Sequence, residues 1–288
     1  MKKKILISYN FIQHYREDFF ELLNEFYDVT VLHSGSRPQN SKHSYKRIEA
    51  NLIKSGPFFL QSRLLSAYLK DKYDVVIVLF DLRWPNVLAF TLFAFIFKFK
   101  CKLISWGAWQ TNRKLMDTIR YWFIRRFDAN IFYNKKTKAD FLALGLPEDK
   151  AFVANNTFKV EINTPCYKHD YKDLILFVGS LDERKRNVEL LQSFASIKDQ
   201  IPAKIKLVFI GDGHELEMLK QKTEALGITS RVSFLGRRND VDDLIKYYNR
   251  AFCSVSYGQA GLSVLQSMGF GVPFMTLKDA ISGGEITN

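Results

Sequence analysis

The sequence predicts an α/β protein made of two doubly wound domains in tandem. Three observations carry that prediction. Apolar runs of strand length alternate with amphipathic runs of helical spacing along most of the chain. A turn-rich, aperiodic stretch, 155–172, divides the alternation into two series. The length, 288 residues, suits two domains at roughly 100–200 residues each.

In chain order, "KILISY" (4–9) reads as a first strand, "REDFFELLNEFY" (16–27) as an amphipathic helix and "DVTVLHS" (28–34) as the next strand. "YDVVIVLF" (73–80) is a near-continuous apolar run, as a strand covered on both faces requires. A helix over 86–97, a strand over 101–106, a basic helix over 113–127 and a strand over 129–134 complete the first series. The second runs strand 174–180, helix 187–199, strand 205–211, helix 214–226, strand 232–236, helix 240–249 and strand 251–256. It closes on "GQAGLSVLQSMGFGVP" (258–273) and "PFMTL" (273–277). In the former, Leu262, Leu265 and Met268 recur at i, i+3 and i+6, widened by Val264, which predicts a helix with that stripe against the core. The domains are placed at 1–160 and 161–288, with 155–172 as linker. Eleven residues follow the last strand-like run, so the second domain is expected to be incomplete at its C-terminus.

Hydrophobic content of 47% and charged content of 25% are globular values. Cys101, Cys166 and Cys253 are far apart and odd in number, which favours a reducing compartment without a disulfide framework. The apolar run at 87–97 is about half the ~20 residues of a membrane span. It reads as a buried or interface-facing helix. The first apolar run is interrupted by Ser8, Tyr9 and Asn10, and reads as a strand rather than a leader. Net charge is +12. Residues 1–165 carry 26 Lys+Arg against 15 Asp+Glu, and the remainder 16 against 15. The first half should therefore meet an anionic partner: a membrane surface, a phosphorylated lipid or, as the weakest reading, a nucleic acid. The excess is tied to no nucleic-acid recognition motif, so nucleic acid is not predicted as a partner.

Three strand-to-turn-to-helix passages gather in the second half. "FVGSLDERKRNVELL" (177–191) places Arg184 and Lys185 beyond a strand end, where charged groups make short hydrogen bonds to phosphate or stand solvated in a loop. "FIGDGHELEMLK" (209–220) has Gly211 and Gly213 but Leu216 where a dinucleotide fingerprint needs its third glycine. The 258–273 helix starts on glycine-flanked backbone amides, a ready anion site, and contains no acid, base or metal ligand. Asp240-x-Asp242 reads as a helix cap followed by first-turn acids, not as a metal pair. The five histidines have no ligand spacing, so no metal is predicted. At 104–113, Trp106, Gly107 and Trp109 follow a strand. Aromatics there can stack on a sugar or simply pack a core.

Taken in order, "FVGSLDERK", "VFIGDGHELEML", "RVSFLG" and "YGQAGLSVLQSMGFGVPFMT", with "GGE" at 283–285, resemble the retaining glycosyltransferases of family 4, which have the GT-B fold. "NFIQHYREDFFELL", "SWGAW", "FDANIFYN" and "NNT" match the first half of that family more loosely. The resemblance implies two Rossmann-like domains facing a cleft, and a sugar nucleotide bound as substrate mainly by the second. It implies no cofactor and no metal. Donor-binding roles would fall on Gly179, Arg184, Lys185, Gly211, Arg237, Gln259, Gly261, Leu262, Ser263 and Gln266, with Tyr15, Arg16, Trp106 and Gly107 on the acceptor side. The acceptor would be a lipid-linked or membrane-presented glycan, met from the cytoplasm at the inner face of the plasma membrane. Where the family has paired glutamates eight positions apart, this chain has Gly258 and Gln266. Its common arginine after the first glycine is Ser180, and its histidine near "WG" falls on Ala108 or Trp109. Two readings follow: a glycosyltransferase of cell-surface glycans, or a degenerate GT-B protein that binds nucleotide weakly and transfers nothing.

Overall fold

The computed structural model of the chain describes residues 2–35, 43–111, 113–163, 165–238, 240–278 and 280, with the side chain of His14 outside the description. The chain divides into two compact units, 1–155 and 156–288.

In the first unit the elements run β1 (Lys4–Ser8), α1 (His14–Phe26), β2 (Asp28–His33), β3 (Lys46–Glu49), β4 (Leu52–Ser55), β5 (Phe58–Gln61) and α2 (Leu64–Lys70). They continue with β6 (Val75–Leu79), α3 (Pro85–Ile96), β7 (Lys102–Trp106), α4 (Lys114–Ile124), β8 (Ala129–Phe132), α5 (Lys135–Ala143) and β9 (Ala151–Val153). Seven strands form one parallel sheet in the order β3-β2-β1-β6-β7-β8-β9, and β4 and β5 form a separate hairpin. The order turns back beside β1, the doubly wound pattern that opens a crevice beyond the strand C-termini between β1 and β6. Alternation along β1 sorts the two faces. Ile5 and Ile7 point to a cluster with Phe20 of α1, while Leu6 joins Val76, Val78, Phe90 of α3 and Phe123 of α4 on the other face. The expected elements of this half are present with ends displaced by a few residues. The elements between 46 and 70, α5 and β9 were not anticipated. β3 reads "KRIE", and β4 and β5 are four residues each, too short for a period to show.

The second unit contains β10 (Leu174–Val178), α6 (Asn187–Ile197), β11 (Lys206–Ile210), α7 (Leu216–Ala225), β12 (Val232–Phe234), α8 (Val241–Tyr248), β13 (Ala251–Ser256), α9 (Leu262–Gly269) and β14 (Phe274–Thr276). Its parallel sheet has the order β12-β11-β10-β13-β14. Again the central strand sorts the core. Phe177 faces Leu190, Phe194 and Leu219, while Leu174 and Leu176 face Leu244, Tyr248 and Phe270. The fold class predicted from sequence, two Rossmann-like α/β units, is the one observed.

The predicted linker is a built part of this unit instead. Val160 and Ile162 pack on the cluster around Tyr248, and Cys166 is fully buried there, its amide donating to the Phe270 carbonyl at 2.8 Å. Gly269 makes room for the strap, since a Cβ on it would lie 2.8 Å from Val160 Cγ2. Two apolar residues spaced by two are too few to show as a period, so the sequence pattern passes over this contact.

Candidate functional site

The candidate site of the second unit is the set of turns leaving the C-terminal ends of β10, β11, β12 and β13, the edge where open α/β sheets bind ligands. Glycines let these turns lie on one another. Gly211 has φ +155°, and a Cβ there would fall 1.7 Å from the Gly179 carbonyl oxygen. At Gly213 a Cβ would fall 2.2 Å from the Leu181 oxygen. Backbone bonds close the same seam: the Gly179 amide donates to Ile210 (3.0 Å), Leu181 to Asp212 (3.0 Å) and Glu215 to Leu181 (3.2 Å). The Gly211-x-Gly213 pair thus allows a close approach between two turns.

The turn after β13 is docked onto the turn after β10. Gly258 donates its amide to the Lys185 carbonyl at 2.9 Å, and Gln259 to the Arg184 carbonyl at 2.7 Å. The Lys185 ammonium returns across the joint to the Gln259 carbonyl oxygen at 2.6 Å. No side chain fits at 258, because its Cβ would stand 2.0 Å from the Arg184 oxygen. The position where the resembled family has its first glutamate is occupied here by neighbouring backbone. Lys185 is thereby held beside Gly179, its Cε 3.6 Å from where a Cβ of that glycine would be. Arg184 is turned the other way. It grips Asp182 at 2.8 Å and remains largely exposed. Burial opposes ionisation of Asp182, but the bonds from Arg184 and Ser180 outweigh it and hold the carboxyl below its usual range. Ser180, which replaces the family's common arginine, therefore orients the acid that orients Arg184.

At the start of α9 the space over Gly261 is open, with nothing within 4 Å of a Cβ built on it. The first amides of a helix have no acceptor within it, and those of Leu262 and Ser263 occupy that position. The Ser263 Oγ is buried and, among the described residues, has no hydrogen-bond partner. An open surface lined by helix amides can receive an anionic oxygen. The orientation of α9 corrects the sequence reading. Leu262 and Leu265 are half-buried and Met268 is 65% exposed, whereas Val264, Gln266, Ser267 and Phe270 face inward. Ser267 decides this, since its small side chain fits the buried face and its Oγ donates to the Val272 carbonyl at 2.8 Å. Gln266 is only 7% exposed.

Arg237 is exposed just beyond β12, next to Arg238, which is engaged with Asp243. The Asp240 side chain caps α8, accepting from the amides of Asp242 (2.8 Å) and Asp243 (3.2 Å). Gly283, Gly284 and Glu285 lie outside the described residues.

In the first unit the four acceptor-side residues come together at the strand C-terminal edge. The Arg16 guanidinium lies 5.0 Å from the Trp106 ring and 5.5 Å from Tyr15. Gly107 has φ +82° and abuts Tyr133, where a Cβ would meet the ring at 2.8 Å. Trp106 is not a platform for a sugar. It is 3% exposed, tilted against Tyr9 and Phe19, and forms the floor under Arg16. Trp109, by contrast, is partly exposed, with Arg120 over its ring. The docked turn at Gly258 had no separate signal in the sequence, because it depends on a contact between segments remote along the chain, whereas the Ser180–Asp182–Arg184 chain is local.

Two Rossmann-like units, with glycine-joined turns at the strand ends of the second, define a class of fold that comparison with known proteins places further. Residues 166–283 match the family model described as Glycosyl transferases group 1. Over 100 residues the chain is 31% identical to N-acetyl-alpha-D-glucosaminyl L-malate synthase of Bacillus anthracis, covering 35% of this chain and 26% of that protein. Over 73 residues it is 37% identical to a Campylobacter jejuni alpha-1,4-N-acetyl-D-galactosaminyltransferase whose name gives a diphospho-undecaprenol-linked glycan, covering 25% of this chain and 20% of that protein. These matches span about a quarter or less of the curated relatives. The Anabaena protein HepE, crystallised with UDP and glucose, superposes with a TM-score of 0.70 at 15% identity, covering 99% of this chain and 82% of that one. At that identity the likeness establishes the GT-B fold.

Proposed function

We propose that this protein is a glycosyltransferase that moves a sugar from a sugar nucleotide to a lipid-linked or membrane-presented glycan acceptor. The observation that carries the reading is the open face at Gly261, beside the joined turns that hold Lys185, within the segment matching Glycosyl transferases group 1. In this reading the amides of Gly261, Leu262 and Ser263 and the Lys185 ammonium take the donor's diphosphate, as helix termini and cations do. Arg237, exposed just beyond β12, stands towards the rest of the nucleotide. Transfer is retaining and metal-independent. The bond from the sugar's anomeric carbon to the diphosphate breaks, the acceptor oxygen bonds to that carbon on the same face, and the acceptor's proton passes to the leaving phosphate oxygen. No side-chain acid is then required on α9.

The acceptor proposal rests on the diphospho-undecaprenol glycan in the Campylobacter relative's name and on the basic first half of the chain. Among the described residues no helix is long and apolar enough to cross a membrane. Docking from the cytoplasm onto anionic lipid is the arrangement we favour.

A second reading has its own observation. The backbone packed over Gly258 leaves no room for a carboxylate there, which fits a nucleotide-binding protein without transfer. Calorimetry with a panel of nucleoside diphosphates and sugar nucleotides, followed by transfer from the tightest donor to a polyprenyl-diphosphate glycan, separates the two. Selective binding with transfer supports the first reading, and weak, unselective binding without product supports the second.

A further inference from the structure

α4 carries apolar side chains on two faces. Phe123 and Ile124 are buried in the sheet cluster. Leu115, Ile119 and Trp122, at i, i+4 and i+7, form a second stripe that faces water, with Leu115 69% and Trp122 40% exposed. Isolated exposed apolar residues are ordinary in folded proteins. Three in register on one helix face are harder to account for by packing, because nothing in the core needs them. Their surroundings are cationic. Arg113 and Lys114 lie exposed at one end of the stripe and Arg125 and Arg126 at the other. Arg126 stands 3.6 Å over the Trp122 ring and donates to the Trp122 carbonyl at 2.6 Å, holding charge and aromatic surface together. Asp117, the acid within the helix, is occupied by Arg120 and by the amide and hydroxyl of Thr111. α4 follows the C-terminal end of β7, so Arg113 and Lys114 lie at the same sheet edge as Arg16 and Gly107. Another exposed apolar group, Phe93, Ile96 and Phe97, is at the C-terminal half of α3, which leads into β7 and lies at the opposite edge.

We propose that the outer face of α4 is the surface by which this protein lies on an anionic lipid bilayer, with Leu115, Ile119 and Trp122 entering the headgroup boundary and the four cations meeting lipid phosphate. An aromatic and aliphatic stripe with basic flanks matches an interfacial helix, and each flanking cation strengthens attachment to anionic lipid. The inference deepens the proposal of a membrane-presented acceptor by naming the surface that reaches it. The attachment is measurable whether or not sugar is transferred.

The test is flotation of the full chain with phosphatidylglycerol-containing and pure phosphatidylcholine vesicles at low and high salt. Wild type should float with the anionic vesicles alone and be released by salt. The pair Leu115→Ser with Ile119→Ser, and separately Arg125→Gln with Arg126→Gln, should each weaken recovery by roughly tenfold or more. The pair Ile96→Ser with Phe97→Ser should not. Quenching of tryptophan fluorescence by brominated lipid should fall in Trp122→Phe. UDP affinity without lipid, measured in each variant, reports folding and the donor site independently. Anionic-vesicle binding retained by the α4 pairs or lost in the α3 pair would overturn the proposal. So would failure of wild type to bind, or a concentration-dependent dimer abolished by the α4 changes, which would assign the stripe to a second copy of the chain.

Discussion

Gly258→Ala is a sharp perturbation of the turn that carries Lys185. The added methyl would stand 2.0 Å from the Arg184 carbonyl oxygen and 2.7 Å from the Lys185 carbonyl carbon, both backbone atoms that no rotamer can move. The turn after β13 must therefore lift. Lifting it breaks the amide bonds of Gly258 to Lys185 and Gln259 to Arg184, and the charged bond from Lys185 to the Gln259 carbonyl. Two neutral bonds at about 1 kcal/mol each and one charge-assisted bond at about 1.5–3 kcal/mol set an upper limit of about 3.5–5 kcal/mol. Water will re-solvate an exposed turn, so a loss of about 2–4 kcal/mol is the expected outcome. For a unit of this size that lowers the unfolding midpoint by roughly 5–15 °C. Calorimetric unfolding of wild type, Gly258→Ala and Gly261→Val measures it. Gly261→Val is the comparison, since open space surrounds its Cβ. It should lose at most about 1 kcal/mol, the scale of a cap substitution, while still abolishing diphosphate binding. An unchanged midpoint in Gly258→Ala would show that the docked turns contribute nothing to stability, and the account of Lys185 placement would fall with it.

Three further outcomes are expected. Lys185→Met should weaken UDP binding by about 1.5–3 kcal/mol, a charged hydrogen bond, and isothermal titration giving wild-type affinity would remove Lys185 from the site. Asp173 is a buried carboxylate whose partner Arg250 (Nε at 2.8 Å) holds its pKa below the ordinary value. Its contribution is therefore present above the unfolded-state value near 3.9 and lost as pH falls through the folded one. Asp173→Asn should lower stability at neutral pH and flatten the acid limb of the urea midpoint against pH, and parallel curves would contradict this. Gln266→Glu places a carboxylate where only 7% of the residue is exposed, so burial should raise its pKa and make the variant less stable, relative to wild type, at pH 8 than at pH 5. Thermal midpoints displaced equally at both would place that side chain in water.

The sequence alone determined the succession of elements, because alternation and helical spacing are local properties. β1, α1, β2, β6, α3, β7, α4, β8 and every regular element from β10 to β14 stand where periodicity put them. Capping by Asp240 was equally local, since the cap and its amides lie within three residues. Asn134 caps α5 in the same way, accepting from the Thr137 amide at 2.7 Å.

What only tertiary structure decided involves segments distant along the chain. Met268 faces outward and Gln266 inward because Ser267 and Gly269 allow α9 to sit close to its neighbours, one of them Val160. Trp106 is a buried floor because Tyr9 and Phe19 converge on it from β1 and α1. Cys166 belongs to a core because Phe270, more than a hundred residues later, accepts its amide. Gly258 reads as an ordinary turn glycine until the turn after β10 is laid across it. Spacing along a chain reports which face a residue shares with its own helix or strand. Which neighbour covers that face, and how closely, is settled by packing, and the candidate site is made almost entirely of such contacts.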